Sequence, residues 1–261
     1  MKGNDGDIIA RNKALSWDYY LDKINDTDSF ITRYYHYLRW KSVLDYIDFI
    51  FKNIKPDAKV ALDIGCNRGY YSAKLGCLGL TVDAVDLNLN SYQLIRNPNV
   101  TYFEEDFLNW VPPRKYDLIM TFEVYEHIPQ NKRQMFIEKI VNLLNPSGVL
   151  LFSGPNCHSM YYGAGYVKDS IKKVFGCVDE IDWHYRIPCQ YYNQMFASQN
   201  LEIINWYTNG VFPIFSNKLE KILEIFSTQF ITDLDLSLSE ILKGFGANYF
   251  AVLKKSDMLD G

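Results

Sequence analysis

The chain has 261 residues, enough for one large domain, and this length does not require a second one. Hydrophobic residues make up 48% of the sequence and charged residues 22%, a globular composition that excludes intrinsic disorder for most of the chain. The net charge of −4 at pH 7 has the wrong sign for a protein that binds nucleic acid mainly through phosphate contacts.

The five cysteines include no CxxC pair, and their odd number disfavours both a disulfide framework and a thiolate zinc site. The first residues, Met1–Lys13, contain no apolar signal-peptide core. No stretch of the chain approaches the ~18 apolar residues that a membrane span needs. We therefore expect a cytoplasmic protein with reduced thiols and no membrane segment, and the sequence leaves open whether it is a monomer or a homodimer.

The first two thirds of the chain alternate between helix and strand signals. Residues 11–53 have helical spacing in two pieces, and the second piece begins near Asp28, a suitable N-cap. Further helices are predicted at Tyr70–Leu78 and at about Lys132–Leu144, the latter closed by Asn145-Pro146. Short apolar runs predict strands at Lys59–Ile64, Thr81–Val85, Val100–Phe103, Tyr116–Thr121 and Gly148–Ser153. This alternation indicates a parallel sheet covered on both faces, which binds ligands at the carboxyl ends of its strands.

After Ser153 the alternation is interrupted by two irregular stretches. The later signals predict a helix at Pro188–Gln199, strands at Leu201–Tyr207 and Tyr249–Leu253, and an amphipathic helix at Asn217–Phe226. We divide the chain into a helical cap segment (1–55), a main domain (56–255) and a tail (256–261). The main domain carries cap insertions at about 154–188 and 209–245, and the three cap pieces could together roof a pocket.

The segment Asp63–Gly69 (DIGCNRG) follows an apolar strand and opens a helix. A glycine-bearing turn in this position lets a ligand approach backbone amides. A dinucleotide-binding loop would have the pattern GxGxxG, whereas here Asn67 replaces the second glycine and Tyr70 the third. The segment therefore disfavours a nicotinamide or flavin enzyme.

The same segment resembles the first motif of class I S-adenosylmethionine-dependent methyltransferases, in which an acidic residue is followed by glycines at alternate positions. Asp63, Gly65 and Gly69 match that motif, and Asn67 departs from it. Asn is the non-glycine residue that best tolerates left-handed backbone angles, so the departure is a small one. The resemblance implies an α/β fold, a Rossmann-like, doubly wound, mostly parallel seven-stranded sheet with an antiparallel last strand, here with helical cap insertions.

Three later positions agree with the family in the expected order. Asp86 follows the second strand, where the family binds the ribose hydroxyls, and Asp106-Phe107 follows the third, where it binds adenine. The segment Phe122–His127 (FEVYEH) follows the fourth strand and is similar to the family's ExxEH signature. The residues that the resemblance assigns to cofactor binding are Asp63, Gly65, Cys66, Asn67, Gly69, Tyr70, Asp86, Leu87, Asp106, Phe107 and Glu123.

Each acidic match also has an ordinary structural interpretation. Asp63 could cap the helix that follows it, Asp86 could be a turn residue, and Asp106 could be a solvated surface carboxylate. These interpretations are credible one by one, but they do not account for the joint spacing of the matches.

Methyl transfer to a hydroxyl requires a proton acceptor, and neutral imidazole suits that role near pH 7. The sequence has four histidines, of which His127, His158 and His184 are the candidate bases. His158 follows the fifth predicted strand, and His184 lies in the first insertion. A structural hydrogen-bonding role remains the alternative for each of them.

A second interpretation of the fourth-strand segment is a metal site. In a helical turn Glu123 and His127 would share a face with Glu126 beside them, and His184 could complete a site for a hard divalent ion. Such a quartet resembles the metal site of methyltransferases that modify the terminal ribose of small RNAs. The alternative gives Glu126 and His127 structural hydrogen bonds beneath the cofactor, and it is the one we favour.

Tyrosines suggest where the acceptor could bind. Tyr34 and Tyr37 on the amino-terminal helix, with Tyr161 and Tyr162 in the first insertion, could form an aromatic lid over a planar or sugar acceptor. Ordinary helix packing explains the first pair equally well.

The function that fits these patterns is methyl transfer from S-adenosylmethionine to a small molecule, with a hydroxyl of a sugar, natural product or aromatic metabolite as the expected acceptor. A divalent metal is possible but not favoured. One alternative is a metal-dependent RNA ribose 2'-O-methyltransferase, which the acidic net charge opposes. Another is a regulatory protein that binds the cofactor without catalysis.

Overall fold

The computed structural model of the protein describes residues 30–89, 94–159, 167, 170–175, 187–211 and 228–256. The predicted helix Asn217–Phe226 lies outside these residues, as do His184, Tyr161 and Tyr162.

Seven strands form one sheet in the part of the chain that the structure describes. In chain order they are β1 Val60–Ile64, β2 Thr81–Asp86, β3 Val100–Glu104, β4 Tyr116–Phe122, β5 Leu144–Pro155, β6 Leu201–Asn209 and β7 Asn248–Lys255. Their order across the sheet is β3-β2-β1-β4-β5-β7-β6. The pairs β1–β2, β2–β3 and β1–β4 are parallel, whereas β6 and β7 are antiparallel. The predicted fold class, a mostly parallel seven-stranded sheet that ends in an antiparallel strand, is confirmed.

The described helices flank these strands along the chain. They are α1 Phe30–Asn53, α2 Tyr70–Cys77, α3 Arg133–Leu143, α4 Cys189–Ser198 and α5 Thr228–Ile241, with single 3₁₀ turns at Tyr125–His127 and Gln130–Lys132. Helix α5 falls in the second predicted insertion, where no helix was predicted at these residues. None of the described helices combines the length and the apolar character that crossing a bilayer would take.

One predicted boundary is wrong. The sequence predicts a helix to Leu144 and a strand from Gly148, but the helix ends at Leu143 and β5 already begins at Leu144, whose backbone is extended. Pro146 disfavours helical angles at Asn145, so the chain leaves the helix before the proline. The Asn145 amide then donates to the carboxylate of Asp117 in β4 at 2.7 Å, which ties the start of β5 to β4.

The chain divides into two compact units. The described part of unit 1 comprises residues 41–89, 94–124 and 128–151, and it contains β1 to β4 with α2 and α3. Strands β1, β2 and β4 are buried at nearly every position. Near-continuous burial is what a parallel sheet covered on both faces requires.

Unit 2 comprises residues 28–40, 125–127 and 152–261, and its described part contains the β6–β7 hairpin with α4 and α5. Its core is aromatic. Tyr192 stacks on Tyr249 at a centroid distance of 5.1 Å, and Phe152 packs edge-on against Phe196 at 5.0 Å. Much of the chain's aromatic content of 16% therefore serves packing in this unit.

Candidate functional site

The strand order leaves a crevice at one edge of unit 1, where folds of this kind bind ligands. Strand β1 pairs with β2 on one side and β4 on the other, all parallel, so the chain turns outward after β1 and returns on the opposite side at β4. Loops that follow strands on either side of such a switch point diverge and leave a crevice. The predicted cofactor residues follow β1, β2, β3 and β4 and thus lie along this edge.

The loop after β1 has left-handed backbone angles at alternate positions. Gly65, Asn67 and Gly69 have φ values of 72°, 49° and 79°. The asparagine therefore adopts the angle that the motif assigns to its missing glycine, as its residue type predicted. A Cβ atom at Gly65 would overlap the side chain of Val124, and one at Gly69 would overlap the phenol of Tyr102. Both glycines are required by close packing as well as by their backbone angles.

Asp63 lies beneath this loop and is 2% exposed. Its carboxylate accepts a hydrogen bond from Ser72 Oγ at 2.5 Å and another from the Ser72 backbone N–H. These bonds support the first turn of α2, as the helix-capping interpretation predicted. Burial raises the pKa of Asp63 to about 7; the Ser72 hydrogen bonds oppose this rise and the charge of Asp86 adds to it.

Asp86 connects the end of β2 to the loop. Its Oδ2 accepts from the backbone N–H of Asn67 at 2.9 Å, and its Oδ1 accepts from that of Asn88 at 3.2 Å. A carboxylate offers about four acceptor positions, so two more hydrogen bonds can be made. The neighbouring Leu87, also assigned to the cofactor, has a side chain that is 71% exposed.

The loop after β3 is held by two sets of hydrogen bonds. Asp106 accepts from the backbone N–H of Leu108 at 3.0 Å and from the side-chain amide of Asn109 at 2.8 Å. The ammonium group of Lys139 donates to the carbonyls of Phe107 at 2.6 Å, Leu108 at 3.2 Å and Trp110.

Lys139 was missed by the sequence reasoning, although a signal was available. It lies three residues after Phe136 and one before Ile140, both fully buried, so a lysine interrupts the apolar side of α3. Burial lowers the pKa of Lys139, while Asp106 opposes this shift. The residue fixes the loop that carries Asp106 and Phe107.

The segment after β4 differs from the predicted helical turn. Glu123 has a φ of 55° and a single 3₁₀ turn begins only at Tyr125, so the expected helical face of Glu123 and His127 is wrong. A left-handed residue breaks the helical repeat on which the i, i+4 relation depends. Glu126 is buried, and His127 is exposed.

The metal quartet stays a prediction. Within the described residues, no three side chains of His, Cys, Asp or Glu are grouped closely enough to hold a metal ion. His184, the fourth proposed ligand, lies outside them.

His158 lies just beyond β5 and is exposed. It lines a cavity of about 390 Å³ in unit 2, together with side chains from α4, β6 and the segment before β7. The structure thus places one of the three candidate bases at a cavity of ligand size.

The predicted aromatic lid is described only for its first pair. Tyr34 is fully buried and its hydroxyl donates to Asp235 Oδ2 at 2.5 Å, while Tyr37 is 7% exposed and stacks on Trp40. Both positions agree with helix packing rather than with a lid. On the motif loop, Cys66 is buried and Tyr70 is partly buried against Ala73 and Ile95.

The edge of unit 1 fits the chemistry of S-adenosylmethionine. Its left-handed loop excludes side chains at two positions. Asp86 has acceptor capacity for hydroxyl groups and is an acidic residue suited to a site for a positively charged sulfonium ligand. A family model described as a methyltransferase domain matches residues 34–208. The chain belongs to the class I S-adenosylmethionine-dependent methyltransferases.

Two curated relatives of this methyltransferase are O-methyltransferases by name. Over 197 residues it is 26% identical to malonyl-acyl-carrier-protein O-methyltransferase 2 of Ilyobacter polytropus, covering 72% of this chain and 65% of that protein. Over 128 residues it is 30% identical to the ubiquinone biosynthesis O-methyltransferase of Paraburkholderia phytofirmans, covering 44% of this chain and 54% of that protein. The methyltransferase thus matches between half and two thirds of the length of these relatives.

Solved structures with the same fold are more distant in sequence. Magnesium protoporphyrin IX methyltransferase from Synechocystis, solved with bound SAH, has a TM-score of 0.58 and 14% identity, covering 95% of this chain and 99% of that one. The plantazolicin methyltransferase BpumL, solved with a monoazolic desmethylPZN analogue and SAH, has a TM-score of 0.54 and 16% identity, covering 95% of each chain. Both likenesses concern the fold.

Proposed function

We propose that this methyltransferase transfers the methyl group of S-adenosylmethionine to a hydroxyl group of a small molecule. The observation that carries the proposal is the loop after β1, left-handed at Gly65, Asn67 and Gly69 and tied to Asp86 through the Asn67 backbone N–H. This loop supplies a narrow approach to backbone amides beside a carboxylate with spare acceptor positions.

The cofactor-binding roles follow from where each residue lies. The loop Gly65–Gly69 would hold the amino-acid part of the cofactor, Asp86 the ribose hydroxyls, and Asp106 with the Phe107 backbone the adenine. When bound, S-adenosylmethionine supplies an electrophilic methyl carbon. Asp63 supports the loop after β1 through its hydrogen bonds with Ser72. Lys139 holds the loop after β3 through its three contacts with backbone carbonyls.

The protein's chemical contribution is alignment and one proton transfer. Methyl transfer from a sulfonium is an in-line displacement, so holding the acceptor in position supplies most of the rate. We assign the role of proton acceptor to His158, because it is exposed and lines a cavity of about 390 Å³. His127 and His184 are the other candidates from the sequence.

Oxygen is the acceptor that the comparisons support. The two curated relatives described above are both named as O-methyltransferases. The net charge of −4 opposes an RNA substrate, whose phosphates would be repelled by an acidic protein. Turnover on any small-molecule acceptor would also exclude the non-catalytic, regulatory alternative.

The test is methyl transfer from radiolabelled S-adenosylmethionine to a library of hydroxylated small molecules, with nitrogen and thiol analogues and a short RNA included. Each reaction is run with Mg²⁺, with Mn²⁺ and with EDTA. We expect label in a hydroxylated small molecule with EDTA present, and a loss of about 10²–10⁴-fold in kcat for His158→Ala.

Three outcomes contradict parts of this proposal. Label found only in RNA and only with a divalent ion would support the ribose methyltransferase instead. Unchanged kcat in His158→Ala would move the base role to another histidine. Cofactor binding without turnover on any acceptor would support the regulatory alternative.

A further inference from the structure

One buried asparagine joins the chain segments around the cavity in unit 2. Asn156 is fully buried, and its side-chain amide donates to the carbonyls of Gly244 and Gly246, each at 2.8 Å. Its carbonyl oxygen accepts from the backbone N–H groups of His158 and Cys189, each at 3.2 Å. Two donors thus meet two acceptors, and rotating the amide by 180° would lose all four bonds.

These four bonds join the three chain segments that form much of the cavity wall. They fix the segment after β5, the start of α4 and the segment before β7. Gly246 admits no side chain, because a Cβ there would lie 2.5 Å from the backbone nitrogen of Asn209. Thr208 Oγ1 accepts hydrogen bonds from Gly244 N–H at 3.0 Å and Gly246 N–H at 3.1 Å. The wall is therefore preorganised by the folded chain itself.

The side chains on this wall combine flat apolar surface with one positive charge. Trp206 and Phe245 supply the aromatic surface, and Lys243 Nζ lies 4.4 Å from the centroid of the Trp206 ring. The Trp206 ring is itself stacked on Tyr249 at 5.9 Å, so its position is fixed from within the unit.

The polar groups at the cavity favour an anion. The described residues that line the cavity include no carboxylate. Those with polar side-chain atoms are His158, Gln190, Cys189, Trp206 and Lys243. The chain has a net charge of −4, whereas the described side chains of this wall carry a lysine and no acidic residue, so the local charge is opposite to the net charge. An ammonium group, an amide and an imidazole can together bind an anionic group by hydrogen bonds.

We propose that this cavity binds a flat aromatic or conjugated ring that carries a negatively charged group, with the ring against Trp206 and Phe245 and the charge at Lys243. The cavity of about 390 Å³ has the size of sites for such ligands. That this ligand is also the methyl acceptor rests on the proposed function, whereas its binding does not.

The test uses three matched probes in calorimetric titrations of the full chain. They are 2-naphthoate, the neutral naphthalene-2-methanol, and decahydro-2-naphthoate, which keeps the charge but is not flat. The proteins are the wild type, Lys243→Gln, Trp206→Leu and the control Lys254→Gln. Lys254 lies on β7, paired with Glu202 at 3.2 Å, and is not part of the cavity lining.

We expect the wild type and Lys254→Gln to bind 2-naphthoate more tightly than either other probe. Lys243→Gln should weaken 2-naphthoate about fivefold and leave the neutral alcohol unchanged, since only the charge contact is lost. Trp206→Leu should reduce the preference for the flat acid over the saturated one about threefold or more.

Equal affinity of the wild type for the acid and the alcohol, or no effect of Lys243→Gln on 2-naphthoate, would overturn the proposal. S-adenosylmethionine is titrated into the same preparations. If the cofactor binds normally but 2-naphthoate is not bound selectively, only the cavity proposal is refuted. If 2-naphthoate is bound selectively but the cofactor does not bind, only the proposed function is refuted. The Lys243 variant changes an exposed side chain, so it reports on binding even if Trp206→Leu does not fold.

Discussion

The loop after β1 and the wall of the unit 2 cavity are both held by side-chain hydrogen bonds, but the partners lie at different distances along the chain. The loop is held by contacts that are close in sequence: Asp63 and Ser72 are 9 residues apart, and Asn67 and Asp86 are 19 apart. The wall is held by Asn156, which bonds residues 33, 88 and 90 positions away. The loop uses backbone angles and carboxylates, whereas the wall uses neutral groups, the Asn156 amide and the Thr208 hydroxyl.

Because they are held in different ways, the two regions should respond differently to substitution. A loop defined by left-handed angles fails when a side chain is added, because neither its angles nor its neighbours can accommodate it. A wall held by hydrogen bonds between distant segments fails when those bonds are removed, because buried polar groups are then left without a partner.

The largest effect is expected for Gly65→Val, which should abolish S-adenosylmethionine binding measured by calorimetry. Its Cβ would overlap Val124, and valine disfavours a φ of 72°. The matched control is Gly79→Val. Gly79 has a φ of 91° but no atom within 4 Å of the added Cβ, so the control shares the strain without the overlap. A folded Gly65→Val protein with normal affinity would show that the loop assignment is wrong.

Asp63→Asn should change how stability depends on pH. In the folded protein the pKa of Asp63 is about 7, above the value of 3.8 for a free side chain. The unfolded chain therefore ionises first, and wild-type stability falls as pH rises from about 4 to about 8 and then levels off. The fall should amount to a few kcal/mol, since one pKa unit corresponds to about 1.4 kcal/mol.

The variant lacks this titrating group, so its stability should not fall over that range. Urea unfolding of both proteins at several pH values between 4 and 8 measures the difference. Parallel pH profiles for the two proteins would contradict the raised pKa. The difference should level off only near pH 8, where Asp63 is mostly ionised in both states.

Asn156→Ala should lower the free energy of unfolding by about 3 kcal/mol, because it leaves two N–H groups and two carbonyls without their partner. The exposed Asn205, also in unit 2, provides the control Asn205→Ala, for which we expect less than about 0.5 kcal/mol. In buffer without denaturant, where it is folded, the Asn156 variant should keep its affinity for S-adenosylmethionine. A stability loss no larger than that of the control would show that the asparagine does not organise the wall.

The smallest effect concerns Lys139→Met. Removing its three carbonyl contacts should loosen the loop that carries Asp106 and Phe107 and weaken S-adenosylmethionine binding about threefold to tenfold. The methionine keeps most of the side-chain volume, so packing on α3 is preserved. Lys132→Met, at an exposed position before α3, should have no effect on affinity. Equal affinities for the two variants would refute the positioning role.

Sequence reasoning recovered the loop because its information is local. The angle of Asn67 and the capping contact of Asp63 both followed from residue type and short spacing. It did not recover the four bonds of Asn156 or the three of Lys139, because the partners are backbone groups that only the folded chain brings together. The left-handed Glu123 was missed for another reason: glutamate gives no signal for that angle, and the helical face predicted with His127 was wrong.

We propose that Asp86 and the loop after β1 hold S-adenosylmethionine. The most direct test is a calorimetric titration of the wild type, Asp86→Ala and the surface control Asp48→Ala with S-adenosylmethionine. The wild type and the control should bind alike, and Asp86→Ala should bind more weakly by roughly 1–3 kcal/mol, since it loses hydrogen bonds from a charged group. Equal affinity in all three proteins, or no binding by the wild type, would contradict the claim.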